Sequence, residues 1–219
     1  MSPEPKALCG ILGAGGRGIV QIGCLLPPIG KRFQKMLSDW RKKYPDIRIV
    51  FHELGDESLR AALFRRHVDV IFFAPDQEPD AVESLPFYSE NLLLALSSTH
   101  SLRDRESLTR HELRNETFLL QDWGHDYSIK SRYIDILGKD VTFESHPAGK
   151  QSVFALVSAG YGVTLAVQSQ AERGFPGVIF RPFRGDTPQL PIRLGWDANR
   201  EDPIAGRFVA FIRDFVREH

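Results

Sequence analysis

Gly13, Gly15 and Gly18 stand in the order GxGxxG, the spacing that lets a backbone turn approach a dinucleotide pyrophosphate. That chemistry needs a helix directly after the third glycine, to hold the phosphate at its amino end, and an acidic strand end about 20 residues on. Here Ile19-Val20-Gln21-Ile22-Gly23 follows, a better strand than helix, and then Pro27-Pro28; Glu53, the nearest acid at a strand end, is too distant. Residues 1–17 are therefore read as a glycine-rich linker tail.

Hydrolytic and metal chemistry find less support. Ser152, His125 and Asp126 are the residue types of a triad, but no GxSxG elbow surrounds the serine and an adjacent His-Asp pair lacks triad spacing. His52, His67, His100, His111, His125 and His146 form neither HxxxH nor HExxH, and Cys9 and Cys24 are no CxxC pair. The sequence predicts no catalytic residue, no cofactor and no metal. Two cysteines in 219 residues fit a reducing cytoplasm better than a disulfide framework.

Small-molecule binding is left, and it depends on the elements that present the loops. Val20–Leu25 is a short apolar strand, after which Phe33, Met36, Leu37, Trp40 and Tyr44 recur at the spacing of one helix face, closed by Tyr44-Pro45. Ile47–Phe51 is a strand. Gly55-Asp56 supplies a turn and an N-cap for a helix burying Leu59, Ala62 and Leu63, and the strand Val68–Phe73 follows. This β-α-β-α-β order predicts a parallel sheet with helical crossovers.

A second, similar series follows. Leu85–Tyr88 and Leu92–Leu96 are two strands; residues 97–115 are charged and irregular; then come the strand Phe118–Leu120, a helix with Ile129, Tyr133 and Ile136 on one face, and the strand Val141–Phe143. A helix with Val153, Leu156 and Val157 stops at Gly160, and strands over 163–167, 178–180 and 192–196 lead to a last helix. That helix has Asp202 as N-cap, Pro203 in the first turn, and Ile204, Phe208, Phe211, Ile212 and Phe215 at helical spacing. Laid back on the first half, it makes the chain cross between lobes twice. The expected division is 18–95 plus 193–219 for lobe I and 96–192 for lobe II.

A cleft between such lobes lies at the carboxyl ends of the strands. The loops there carry Leu26, Pro27 and Pro28; Gly55 and Asp56; Pro75; the Gln121-Asp122-Trp123-Gly124-His125 stretch; and Gly149, Lys150 and Gln151. The last group opens a helix, so its N–H groups and Lys150 are suited to an anion, and Trp123 to an apolar or aromatic ligand face.

Bulk charge excludes one class of partner. Lys+Arg and Asp+Glu both number 28, so the net charge is zero, without the basic excess that gripping a DNA backbone demands. The amino terminus lacks a basic n-region, its apolar stretch is broken by glycines, and no run approaches the roughly 20 apolar residues of a membrane span. The chain reads as neither secreted nor membrane-inserted.

Three stretches carry a family resemblance. Val20–Gly23 through Tyr44-Pro45-Asp46-Ile47, His67-Val68-Asp69-Val70-Ile71, and Leu156-Val157-Ser158-Ala159-Gly160-Tyr161-Gly162-Val163 are similar to the opening strand and helix, third strand and helix end of the effector-binding domain of LysR-type transcriptional regulators. The resemblance covers residues 18–217. It implies an α/β, two-lobed fold like type 2 periplasmic binding proteins with two interlobe crossovers, a small-molecule effector in the cleft, an antiparallel homodimer and no enzymatic activity. It also implies a winged helix-turn-helix ahead of residue 18, for which residues 1–17 are too few, so DNA contact would belong to a domain missing from this chain. The family offers a Ser or Thr where this chain has Pro27, which has neither hydroxyl nor backbone donor. Polar capture is thereby expected at Lys150 and Gln151, with His125 and Trp123 closing the wall around a small organic anion. A free-standing solute-binding protein of a transporter shares the fold and is the rival reading; a nucleotide-dependent enzyme rests on the glycine cluster alone.

Overall fold

A computed structural model describes residues 18–25, 29–74, 82–122 and 127–218. Strand β1 (Gly18–Cys24) pairs in parallel with both β2 (Ile47–Glu53) and β3 (Val70–Phe73). Helices α1 (Lys31–Lys43) and α2 (Asp56–Phe64) make the two crossovers, so the β-α-β-α-β expectation holds. All four residues of β3 are buried, the pattern of a strand covered on both faces. Because β1 starts at Gly18 itself, no helix follows the glycine cluster, whose other residues lie outside the described ones.

Two long strands join the lobes. Strand β4 (Val82–Ser97) pairs antiparallel with β9 (Gln189–Asp197) from Val82 to Asn91, and β9 pairs in turn with β3. From Leu92 onward β4 instead pairs with β7 (Thr164–Val167), and from Leu94 also with β8 (Val178–Arg181). β5 (Thr117–Gln121) pairs in parallel with β6 (Thr142–His146) and bridges to Val163 at the head of β7. Each lobe thus repeats one plan: a parallel trio of strands flanked by a strand that comes from the crossover.

The sequence expectation of separate strands at 85–88 and 92–96 is corrected to one strand of 16 residues. Its interruptions are absorbed locally. Pro86 is tolerated where the register with β9 shifts between Pro86 and Tyr88, and the Glu90 carboxylate accepts the Ser169 N–H at 3.1 Å, so a buried acid stays paired.

Helix α3 (Tyr127–Leu137) and helix α4 (Lys150–Ser158) serve lobe II. Helix α5 (Gln168–Arg173), which the sequence reading did not foresee, follows β7 directly. The last helix, α6 (Pro203–Glu218), lies on lobe I as expected, its Phe208, Phe211, Ile212 and Phe215 buried against Phe33, Met36 and Trp40 of α1. Burying such side chains is worth roughly 1.5–3 kcal/mol each, so the return of α6 closes the first core. Trp40 meets Phe208 and Phe211 edge-on, with centroids 4.9 and 5.2 Å apart. Among the described residues no helix is long and apolar enough to cross a membrane.

Candidate functional site

A cavity of about 90 Å³ opens where the lobes face each other. Lobe I and the crossover strands contribute Leu25, Leu92 and Leu190; lobe II contributes Gln121, the α3 residues Ile129, Arg132, Tyr133 and Ile136, and Leu165 to Val167 of β7. Lys150 and Gln170 complete the wall. The lining is mainly aliphatic, with two cations and a few hydrogen-bonding groups, the composition of a small-molecule pocket at strand carboxyl ends.

Lys150 enters this wall because Gly149, in extended backbone, is the N-cap of α4 and Lys150 its first residue. The ammonium donates to Thr164 Oγ1 at 3.0 Å and stands 5.6 Å from the centre of the Phe154 ring. Thr164 is fully buried, and its Oγ1 lies 2.7 Å from the Leu119 carbonyl and 3.1 Å from the Tyr133 hydroxyl. Arg132 reaches the cavity from α3, and its Nη2 donates across the cleft to the Ala74 carbonyl just past β3, at 3.2 Å. Lobe II therefore supplies the polar groups, and one of its cations also touches lobe I.

On another side of the interface α1 and α5 meet. Arg173 Nη2 donates to the Ile29 carbonyl at 3.3 Å, and Lys31 pairs with Glu172 at 3.5 Å. Gly30 fits closely between them: a Cβ there would stand 3.4 Å from both Glu90 Oε1 and Ser169 Cβ.

Of the residues expected from sequence, Lys150 lines the cavity and Gly149 positions it. Gln151 points to solvent, since Lys150 and Phe154 share one face of α4 and the next position turns away. Gly55 is buried as the N-cap of α2, with Asp56 the first helical residue, and it does not line the cavity. Leu26, Pro27, Pro28, Pro75, Trp123 and His125 lie outside the described residues. Sequence reasoning missed Arg132, although a signal was available. Ile129, Arg132, Tyr133 and Ile136 follow the i, i+3, i+4, i+7 rule, so a cation sits within an apolar stripe. Thr164, the one hydroxyl in Val163–Val167, was a similar clue.

Cys24 is 1% exposed, and burial together with the nearby Glu53 charge pushes its thiol up to about 12. It is thus protonated and inert at neutral pH.

These features define a two-lobed α/β binding domain. The family model described as LysR substrate binding domain matches residues 13–217, and the chain belongs to that family, a ligand-sensing module and not an enzyme. It is 26% identical over 179 residues to the HTH-type transcriptional regulator XapR of Escherichia coli K12, covering 81% of this chain and 61% of XapR. It is 25% identical over 206 residues to a hydrogen peroxide-inducible genes activator of Pectobacterium carotovorum subsp. carotovorum, covering 92% of this chain and 67% of that protein. The chain therefore spans about three fifths to two thirds of these relatives' lengths. The effector binding domain of QuiR in complex with shikimate superposes with a TM-score of 0.80 at 14% identity, covering 93% of this chain and 99% of that one. This likeness establishes the two-lobed fold.

Proposed function

We propose that this chain is the effector-sensing part of a LysR-type transcriptional regulator and that its effector is a small organic anion held between the lobes. The observation that carries this reading is the placement of Lys150 and Arg132 on a mainly aliphatic cavity. An anion there meets two cations in a partly desolvated setting, while its hydrocarbon body lies against Leu25, Leu92 and Leu165. The QuiR domain was solved with shikimate, a carboxylate, which supports the same ligand class here.

The lobes, 18–95 with 193–219 and 96–192, change their relative angle when the anion bridges them. The change passes to a DNA-binding helix-turn-helix outside the described residues, within an antiparallel homodimer.

Calorimetric titration with a panel of small carboxylates tests the pocket. A charge-assisted hydrogen bond is worth roughly 1.5–3 kcal/mol, so Lys150→Ala weakens binding about ten- to a hundredfold. Equal affinities for wild type and variant would remove the anion pocket from the account.

A further inference from the structure

We infer that Thr164 is the positioning residue of this pocket: its hydroxyl, clamped by Leu119 and Tyr133, holds the Lys150 ammonium where a carboxylate meets it. The inference rests on the anion-binding reading and adds how the charge is placed and which ligand groups it admits.

Thr164 has one hydroxyl hydrogen, and the Leu119 carbonyl at 2.7 Å can only accept, so the hydrogen points there. Both remaining lone pairs of Thr164 Oγ1 accept, one from Lys150 at 3.0 Å and one from the Tyr133 hydroxyl at 3.1 Å. The Tyr133 oxygen in turn accepts the Leu165 N–H at 3.2 Å, and its own hydrogen has two acceptors in reach, Thr164 Oγ1 at 3.1 Å and the Leu165 carbonyl at 3.5 Å, of which the shorter contact to Thr164 is favoured. Both hydroxyl hydrogens in the cluster thus have acceptors within the protein.

Two consequences follow. Neither Thr164 nor Tyr133 keeps a hydrogen for the ligand, whereas the ammonium, with three donors, keeps two. The corner therefore offers charged donors only, and it selects a carboxylate over an alcohol or a neutral amide of the same shape. The lysine is also fixed before the ligand arrives, between the Thr164 hydroxyl and the Phe154 ring. Packing alone does not explain a threonine here. Its neighbours in β7 are Leu165, Ala166 and Val167, all buried, and valine has the same shape without a hydroxyl to satisfy.

The test uses sodium benzoate and sodium acetate, titrated to millimolar concentration into wild type, Lys150→Ala, Thr164→Val, Thr164→Ser and the Lys150→Ala/Thr164→Val double variant. Thr164→Val is expected to weaken benzoate roughly tenfold, the effect of misplacing one charge-assisted hydrogen bond, and Thr164→Ser to stay within about twofold of wild type. In the Lys150→Ala background Thr164→Val adds nothing, because its effect passes through the lysine. Tyr133→Phe, which removes the second partner of the Thr164 hydroxyl, follows the same rule and carries the test if Thr164→Val does not fold. If Lys150→Ala weakens binding while Thr164→Val and Tyr133→Phe do not, the positioning role is overturned and the pocket stands. Equal weakening by Thr164→Val with and without Lys150 also overturns it, by showing a merely structural role. If neither carboxylate binds wild type, or Lys150→Ala is silent, the anion reading falls and this inference with it.

Discussion

Lys150 and Arg132 differ in how they were visible. A lysine beside a glycine at a helix start is readable from sequence, because helix amino ends attract anions whatever the tertiary context. Arg132 lies in the interior of α3, and only the packing of that helix face against the cleft shows where its charge goes. Thr164 was hidden for a related reason: its partners Leu119, Tyr133 and Lys150 come from three other elements. Cys24 gives a sharp residue-scale prediction. With its thiol pushed from 9.0 up to about 12, folding favours the protonated form; the stability linked to this is complete below about pH 9 and is lost as the pH rises towards 12. In a Cys9→Ser background, an aromatic disulfide reagent at pH 8 is expected to leave the native protein unmodified and to label one thiol after denaturation. Rapid labelling of the native protein would show instead that the Cys24 site opens to solvent.

Elements whose signals are local were legible. α1, α2, α4 and α6 all lie where apolar periodicity put them, and α6 also has the expected cap: Asp202 Oδ1 accepts the N–H groups of Ile204 and Ala205 at 2.9 and 3.0 Å. Asp202 Oδ2 further accepts from Arg200, which reaches Asp69 at 2.6 Å. Asp202→Ala is therefore expected to cost about 1–2 kcal/mol in urea denaturation, the usual value of an N-cap, whereas Asp202→Asn keeps the cap and loses less. Equal loss in both variants would assign the effect to the Arg200 ion pair instead. α5 and the continuity of β4 were not legible, because β4 is held by pairing with β9, β7 and β8 and is tied to α5 by a long-range bond. Glu90, which looks like a strand breaker, is the acceptor for the Ser169 N–H near the start of α5. No local pattern contains a pairing across 79 residues.

At the scale of the molecule, two lobes and two crossovers followed from the order of elements, since a terminal helix with an apolar face must find an existing sheet. The site between them was less legible. Its walls come from both ends of the chain order and include faces of α3 and β7 that the sequence did not point to, while most of the loop residues named in advance lie outside the described residues. A second hollow of about 230 Å³ lies at the far end of lobe I, lined by Asp69, Glu83, Trp196, Arg200 and Arg213 among others, and offers an internal comparison. Amide chemical-shift mapping during titration with the tightest-binding carboxylate of the panel measures directly where the ligand sits. The account predicts shifts at Leu25 and Leu190 as well as at Gln121, Arg132, Lys150 and Val167, so that both lobes respond to one saturable event. Shifts confined to Asp69, Trp196 and Arg213, with the interlobe residues unmoved, would contradict it.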